Sequence, residues 1–171
     1  MTTSPTATGH RDGFVPGTSG FRGLVSYWSG RPPPELLRES ARRQPDRPAL
    51  LTEGGAHSYA DLDAAAGRWA HGFLGLGIAP GDRVVVQLPN VPEFVPVLFG
   101  LLRAGIVPML TLPARRRAEI EHLARLSGAV ASLIPDRAGN VDHRMPADEI
   151  ADVSPELRHV LVPGEQTCAF R

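Results

Sequence analysis

The feature that most constrains the fold is an alternation of apolar runs and helical patterns between residues 83 and 135. Apolar runs at 83–88, 106–112 and 129–135 are separated by helical patterns at roughly 91–103 and 118–128. The first run contains three consecutive valines, as expected for a strand covered on both faces. The order strand, helix, strand, helix, strand predicts an α/β fold: a parallel βαβ sheet with right-handed crossovers and helices on both faces.

The segment before this alternation predicts two helices around a hairpin. Three prolines at 32–34 can start a short helix with an apolar face, and Pro45 ends it. The runs 49–54 and 56–59 flank a glycine pair and predict a hairpin. Ser58 and Asp61 resemble a capping box. The residues that then recur at helical spacing are Tyr59, Leu62, Ala66, Trp69, Phe73 and Leu76.

Further predictions concern the face of the first helix, the start of the helix at 91–103 and the residues after 135. The short helix is expected to present Leu36, Leu37, Ser40 and Ala41 on one face. Asn90 can cap the helix at 91–103, and Pro96 should kink that helix or delay its start. Residues 136–155 are polar and loop-like, with a possible short helix near 146–152, and 159–164 predicts one more strand. The final stretch, GEQTCAFR, contains no helix to cover that strand, so the sheet looks unfinished.

Composition excludes several classes of protein. Lys+Arg and Asp+Glu both number 18, so the net charge is zero, which argues against nucleic-acid or anionic-membrane partners. No apolar run approaches the roughly 18 residues of a membrane span. Cys168 is the single cysteine, so no internal disulfide is possible and a cytoplasmic location is the default. Residues 1–20 are rich in Thr, Ser, Pro and Gly and predict a flexible arm.

No motif assigns catalytic, cofactor-binding or metal-binding residues. The loop PGTSGFRG at 16–23 lacks the preceding strand, following helix and lysine of a phosphate loop. The six histidines have no metal-ligand spacing, and Cys168 has no histidine nearby in sequence to activate it. The acidic pairs Asp61–Asp63 and Glu119–Glu121 are two residues apart, so neither pair shares a helix face. A catalytic constellation is therefore not predicted.

The order of several motifs nevertheless resembles a known family. The motifs are SYADLD at 58–63, GIAPGDRVVVQLPN at 77–90 and LLRAGIVPMLTLP at 101–113. They resemble the opening of the adenylate-forming ligases. The pair Tyr27-Trp28 and the Leu-Pro and Glu-Ile around the arginines resemble the subgroup of aryl acid–AMP ligases, which activate 2,3-dihydroxybenzoate or salicylate for siderophore biosynthesis. The resemblance covers 21–135 well and fades toward residue 171.

This resemblance implies a chemistry and a domain organisation. Such ligases use ATP and magnesium to form an acyl-adenylate, then pass the acyl group to a thiol of a carrier protein or coenzyme A. Their phosphate loop, aryl pocket, ribose-binding aspartate and catalytic lysine are expected beyond residue 171. Residues 21–171 then correspond to part of the large N-terminal domain, and the small C-terminal domain is absent. This chain alone is expected to bind no cofactor tightly and to be inactive.

Two alternatives remain open at this level. The chain could be part of a ligase for another acid, such as an acyl-CoA ligase, and only the acid pocket would distinguish the two. It could also be a non-catalytic α/β binding module or a remnant without function.

The triplet Arg115–Arg117 departs from the subgroup. The resemblance places Arg116 in register with a family arginine and Arg115 where a histidine is expected. Arginine stays charged and cannot accept a hydrogen bond, so it cannot reproduce a neutral imidazole. The triplet is predicted to lie in the turn between a strand and a helix, where an anion site is the alternative interpretation.

Overall fold

The structure is a computed structural model that describes residues 30–112, 117–135, 137–138, 141–142, 156–163 and 169–170. Pro32–Arg171 forms one compact unit, which contains every element given below. The predicted arm at 1–20, the possible helix at 146–152, Arg115, Arg116 and Cys168 lie outside the described residues.

The described part of the chain contains four helices and nine strands. The helices are α1 (Pro33–Arg43), α2 (Tyr59–Gly75), α3 (Phe94–Arg103) and α4 (Arg117–Ser127). The strands are β1 (Pro48–Thr52), β2 (Gly55–Ser58), β3 (Arg83–Val86), β4 (Val107–Leu110), β5 (Ala131–Leu133), β6 (Arg137–Ala138), β7 (Val141–Asp142), β8 (His159–Val162) and β9 (Ala169–Phe170).

A five-stranded sheet with the order β4-β3-β5-β8-β9 organises the unit. Its first four strands are parallel, with Val84 opposite Pro108 on one side and Ala131 on the other. This confirms the parallel α/β architecture predicted from residues 83–135. The fifth strand, β9, pairs antiparallel with β8 and was not predicted from the final stretch GEQTCAFR.

The valines of β3 are buried on both faces of the sheet. Val84 and Val86 belong to a core cluster with residues of α2 and α3, whereas Val85 packs with Ile120 and Ala124 of α4. Successive side chains of a strand point to opposite faces, so the valine run can only be buried if helices lie on both sides. All three valines are at most 1% exposed, which confirms that prediction.

The local structure before the sheet also follows the sequence. Strands β1 and β2 form an antiparallel hairpin. Ser58 caps α2: its hydroxyl accepts a hydrogen bond from Asp61 N, and its own N–H donates to the Asp61 carboxylate. Gly77 follows α2 with φ +76°, a conformation that glycine adopts without steric cost.

Some predicted details are wrong, each for a local reason. Asn90 does not cap α3, because the helix begins at Phe94 with Glu93 preceding it. Pro96 is therefore the third helical residue, where the missing N–H would have had no intrahelical partner, so the delayed start rather than a kink is observed. The prediction that Leu36 lies on the apolar face of α1 is wrong: Leu36 is 41% exposed, and Leu37 is the buried residue of this helix.

Residues 136–155 were predicted to be loop-like, but they include the short antiparallel pair β6–β7.

Helices α2 and α3 approach each other closely at Gly100. A methyl group added at this glycine would lie 2.5 Å from Trp69 Cβ and 3.2 Å from the backbone atoms Ala66 O and Ala70 N. Near this contact, Arg103 of α3 forms an ion pair with Asp63 of α2 and donates a 3.0 Å hydrogen bond to the Asp63 carbonyl. The two helices are therefore held at a separation that only glycine at position 100 permits.

We expect Gly100→Ala to lower the free energy of unfolding by about 1–3 kcal/mol, because the new methyl group overpacks the α2–α3 contact. Gly72→Ala is the matched control, since a methyl group there would meet no atom within 4 Å. It should stabilise the protein by up to about 1 kcal/mol through helix propensity. Urea unfolding followed by circular dichroism measures both. Equal effects of the two substitutions would contradict the close approach.

Candidate functional site

The described histidines lie on separate elements. His57 is in β2, His71 in α2, His122 in α4 and His159 in β8. His71 Nδ1 lies 2.9 Å from the carbonyl of Gly67 within its own helix. Among the described residues, no three His, Cys, Asp or Glu side chains are grouped so that they could hold a metal ion.

The acidic residues of α2 have structural partners. Asp61 accepts hydrogen bonds from the N–H and the hydroxyl of Ser58, at 3.0 and 2.7 Å. These hydrogen bonds favour the charged carboxylate and hold the pKa of Asp61 below its ordinary value of 3.8. Asp63 is paired with Arg103. The two carboxylates thus serve different contacts, as their spacing predicts, and do not form an acid–base pair.

Buried polar groups are few in the described part of the sheet. Gln87, which follows β3, is 4% exposed, and Ser132 of β5 is 3% exposed. Ser132 Oγ has no hydrogen-bond partner among the described residues. A serine needs an adjacent base to act as a nucleophile, so the described surroundings of Ser132 do not activate it.

The carboxyl edge of the parallel strands is the place where this fold can bind a ligand. Strand β4 lies on one side of β3, and β5 lies on the other. Successive strands are therefore added to opposite sides of β3, so the strand order reverses between β3 and β5. Open α/β sheets bind ligands outside the carboxyl ends of the strands at such a point.

Backbone hydrogen bonds extend the ladder at this edge. Gln87 N donates to Leu133 O at 2.8 Å, Thr111 N donates to Val86 O at 3.0 Å, and Ile134 N donates to Leu161 O at 3.0 Å. The edge is thus a rigid rim that carries the amide of Gln87 and the hydroxyl of Thr111. The Thr111 hydroxyl can accept or donate a hydrogen bond to a ligand, whereas Gln87 is buried and already engaged in another interaction. Neither side chain supplies a general base or an anionic metal ligand.

Sequence reasoning missed Gln87 as a candidate residue. The sequence predicts Gln87 within the strand at 83–88, where a single amide after three valines forms no motif. Gln87 is distinguished by its burial at the end of a central strand. This burial follows from the order of strands in the sheet and not from residue spacing. Arg117 begins α4, whereas Arg115 and Arg116 lie outside the described residues, so the strand-to-helix turn at the triplet stays a prediction.

No helix among the described residues is long and apolar enough to cross a membrane. Comparison with family models matches residues 37–168 to the AMP-binding enzyme family. The chain belongs to the AMP-binding enzymes. The matched residues contain all the strands of the parallel sheet and its carboxyl edge, so the rim described above is part of an AMP-binding fold.

Similar proteins include aryl acid ligases. The chain is 49% identical to triostin synthetase I of Streptomyces triostinicus over 90% of its length and 29% of that protein. It is 44% identical to a salicyl-AMP ligase/salicyl-S-ArCP synthetase of Mycobacterium tuberculosis over 94% of its length and 30% of that protein. The chain therefore spans less than a third of these relatives, and the match to the salicyl-AMP ligase confirms the predicted resemblance.

A solved structure confirms the fold. The apo structure of Mycobacterium smegmatis MbtA superposes with a TM-score of 0.76 at 46% identity, covering 85% of this chain and 27% of MbtA. The mixed α/β architecture with a parallel sheet is thus that of an adenylate-forming ligase N-terminal domain.

We expect Asp61→Asn to destabilise the protein at pH 7 and to do so less as the pH falls below 3.8. A carboxyl whose pKa is lower in the folded state stabilises the fold at every pH above its unfolded-state pKa. This stabilisation is lost as the pH falls from the unfolded-state pKa through the folded-state pKa. Thermal unfolding of both proteins between pH 2 and pH 7 measures the difference. Glu53→Gln, an exposed substitution in the β1–β2 turn, is the control. A constant difference between Asp61→Asn and the parent at all pH values would contradict the assignment.

Proposed function

We propose that the chain forms part of the large domain of an aryl acid–AMP ligase that activates salicylate or 2,3-dihydroxybenzoate. The observation that supports this most is 44% identity to a salicyl-AMP ligase over nearly the whole chain. In this proposal residues 21–171 belong to the large domain, and residues 1–20 are an arm. The reaction consumes ATP and an aryl acid, and it delivers the acyl group to a carrier-protein thiol in the cytoplasm during siderophore biosynthesis.

The chemistry defines what such an enzyme must supply. A carboxylate is a poor electrophile, and attachment of AMP converts it into an activated acyl group. The enzyme must bring two anions together for in-line attack and stabilise the charge that develops at phosphorus. These tasks need cations or oriented N–H donors next to the reacting atoms.

The described residues fit only part of that requirement. They contain no cluster of carboxylates or histidines suited to a magnesium ion. The carboxyl edge offers the Thr111 hydroxyl on a rim that the backbone hydrogen bonds of Gln87, Thr111 and Ile134 hold in place. In this proposal the residues that bind ATP and magnesium belong to the part of the ligase that this chain, spanning 30% of the salicyl-AMP ligase, does not cover. This chain's contribution is a rigid sheet edge that helps to shape the ligand site.

Coenzyme A is the alternative acceptor, since acyl-CoA ligases share the fold. The acid and the acceptor are tested separately, because adenylation precedes thiol transfer. Supplying the adenylating enzyme with either a carrier protein or coenzyme A and measuring the acyl thioester distinguishes the two.

A chimeric ligase tests the proposed function. Residues 30–163 replace the aligned segment of the M. tuberculosis salicyl-AMP ligase, and ATP–pyrophosphate exchange is measured with salicylate, 2,3-dihydroxybenzoate and no acid. We expect acid-dependent exchange within about tenfold of the parent, a loss of no more than about 1.4 kcal/mol of transition-state stabilisation. The 171-residue chain alone should give no exchange above the background without acid.

The same graft taken from a more distant AMP-binding enzyme is the control, and it should exchange less than the chimera. A folded chimera without exchange would contradict the aryl acid assignment. Exchange by the 171-residue chain alone would contradict the assignment of the residues that bind ATP and magnesium to the rest of the ligase.

A further inference from the structure

Two polar residues lie side by side where β3 and β4 end. The register pairs Val86 with Leu110. Thr111 N donates to Val86 O at 3.0 Å, so the ladder continues and places Thr111 beside Gln87. On the other side of β3, Gln87 N donates to Leu133 O at 2.8 Å. Gln87 therefore lies between two neighbouring strands, at the edge that open α/β sheets use for ligands.

The neighbouring row of side chains, on the same face but further inside the sheet, is mostly apolar. Because successive side chains of a strand alternate between faces, Gln87 lies on the same face as Val85. Val85 belongs to an apolar cluster against which Met109 and Val160 pack. Ser132 lies between Val85 and Val160 in this row, and its Oγ has no hydrogen-bond partner among the described residues. The hydrophobic core thus ends between the row of Val85 and the row of Gln87.

Core packing does not explain why an amide is buried at this position. Gln87 is 4% exposed, and burial of an amide costs free energy unless its donors and its acceptor are hydrogen-bonded. A methionine side chain has a similar length and no such requirement, so packing alone would favour an apolar residue of this size. Hydrogen bonds of an amide are directional, and a buried polar contact therefore fixes the groups around it more strictly than an apolar contact does.

We propose that Gln87 is a positioning residue of the ligase reaction: it fixes the carboxyl ends of β3 and β4, and thereby holds Thr111 in place for a substrate bound outside this edge. This inference rests on the proposed function. The half-buried Thr111 offers a hydroxyl to the substrate, whereas the buried Gln87 acts through the backbone of the edge. Neutral polar groups of this kind orient a ligand, so their loss affects substrate binding more than the chemical step.

Gln87→Met in the chimeric ligase tests the inference, with Ser132→Ala as the matched control. Both residues are buried, and they lie in adjacent rows on the same face of the sheet. Gln87→Met should raise KM for salicylate or for ATP about fivefold and leave kcat within about twofold, since the lost interaction acts on binding. Ser132→Ala should leave both KM values within about twofold, because it removes a hydroxyl that has no partner among the described residues.

Amide exchange at the edge gives a second readout that needs no enzyme activity. In the 171-residue chain, Gln87→Met should speed hydrogen–deuterium exchange of the Thr111 and Ile134 amides, which are hydrogen-bonded in the ladder at this edge, by about tenfold. Ser132→Ala should leave these rates unchanged. Gln87→Glu keeps the shape of the side chain but has no N–H donors, and it should give the same two changes where Gln87→Met does not fold.

The outcomes separate this inference from the proposed function. Unchanged KM values in a folded, active Gln87→Met chimera would overturn the inference and leave the function standing. Faster edge exchange together with an inactive parent chimera would reject the function and retain Gln87 as the residue that fixes the edge. Equal effects of Gln87→Met and Ser132→Ala would show a general disturbance of the sheet and overturn the inference. Failure of both Gln87 variants to fold would show that the fold itself requires the amide, which also overturns the inference.

Discussion

The burial of β3 on both faces is the constraint on which the rest of the unit depends. Its three valines cannot be removed from water by a single layer, because Val84 and Val86 point to one face and Val85 to the other. Helices α2 and α3 therefore cover one side, and α4 covers the other. Complete burial of a valine side chain contributes on the order of 2 kcal/mol, so this strand stabilises both layers at once.

The helix layer adds a steric constraint to this hydrophobic one. Glycine inside a helix costs up to about 1 kcal/mol relative to alanine, yet Gly100 occupies the middle of α3. The close contact with Trp69 explains why a larger residue cannot fit there. The ion pair between Arg103 and Asp63 joins the same two helices at the next turn. Packing and charge thus fix how α3 carries the chain from β3 to β4, and hence where the carboxyl edge lies.

Local signals in the sequence predict most of the elements but little of the site. The valine run, the glycine pair of the hairpin and the Ser58–Asp61 cap act over a few residues, so their structures could be predicted. The start of α3 could not be predicted, because Asn90 and Pro96 suggest different boundaries. Strand β9 could not be predicted either, because its two residues are defined only by pairing with β8.

The position of Gln87 follows from the order of strands in the sheet, which no local sequence pattern encodes. Family membership was predicted from motif order, and the family match at residues 37–168 confirms it.

The central claim is that β3 forms the inner strand of a sheet buried under helices on both sides. Hydrogen–deuterium exchange of the 171-residue chain, followed by mass spectrometry, tests it most directly, since buried core amides open only with global unfolding. The amides of Val84, Val85 and Val86 should exchange slowest, together with those of β5, and the exposed β1–β2 hairpin should exchange much faster. Exchange of the β3 amides as fast as that of the hairpin would contradict the claim.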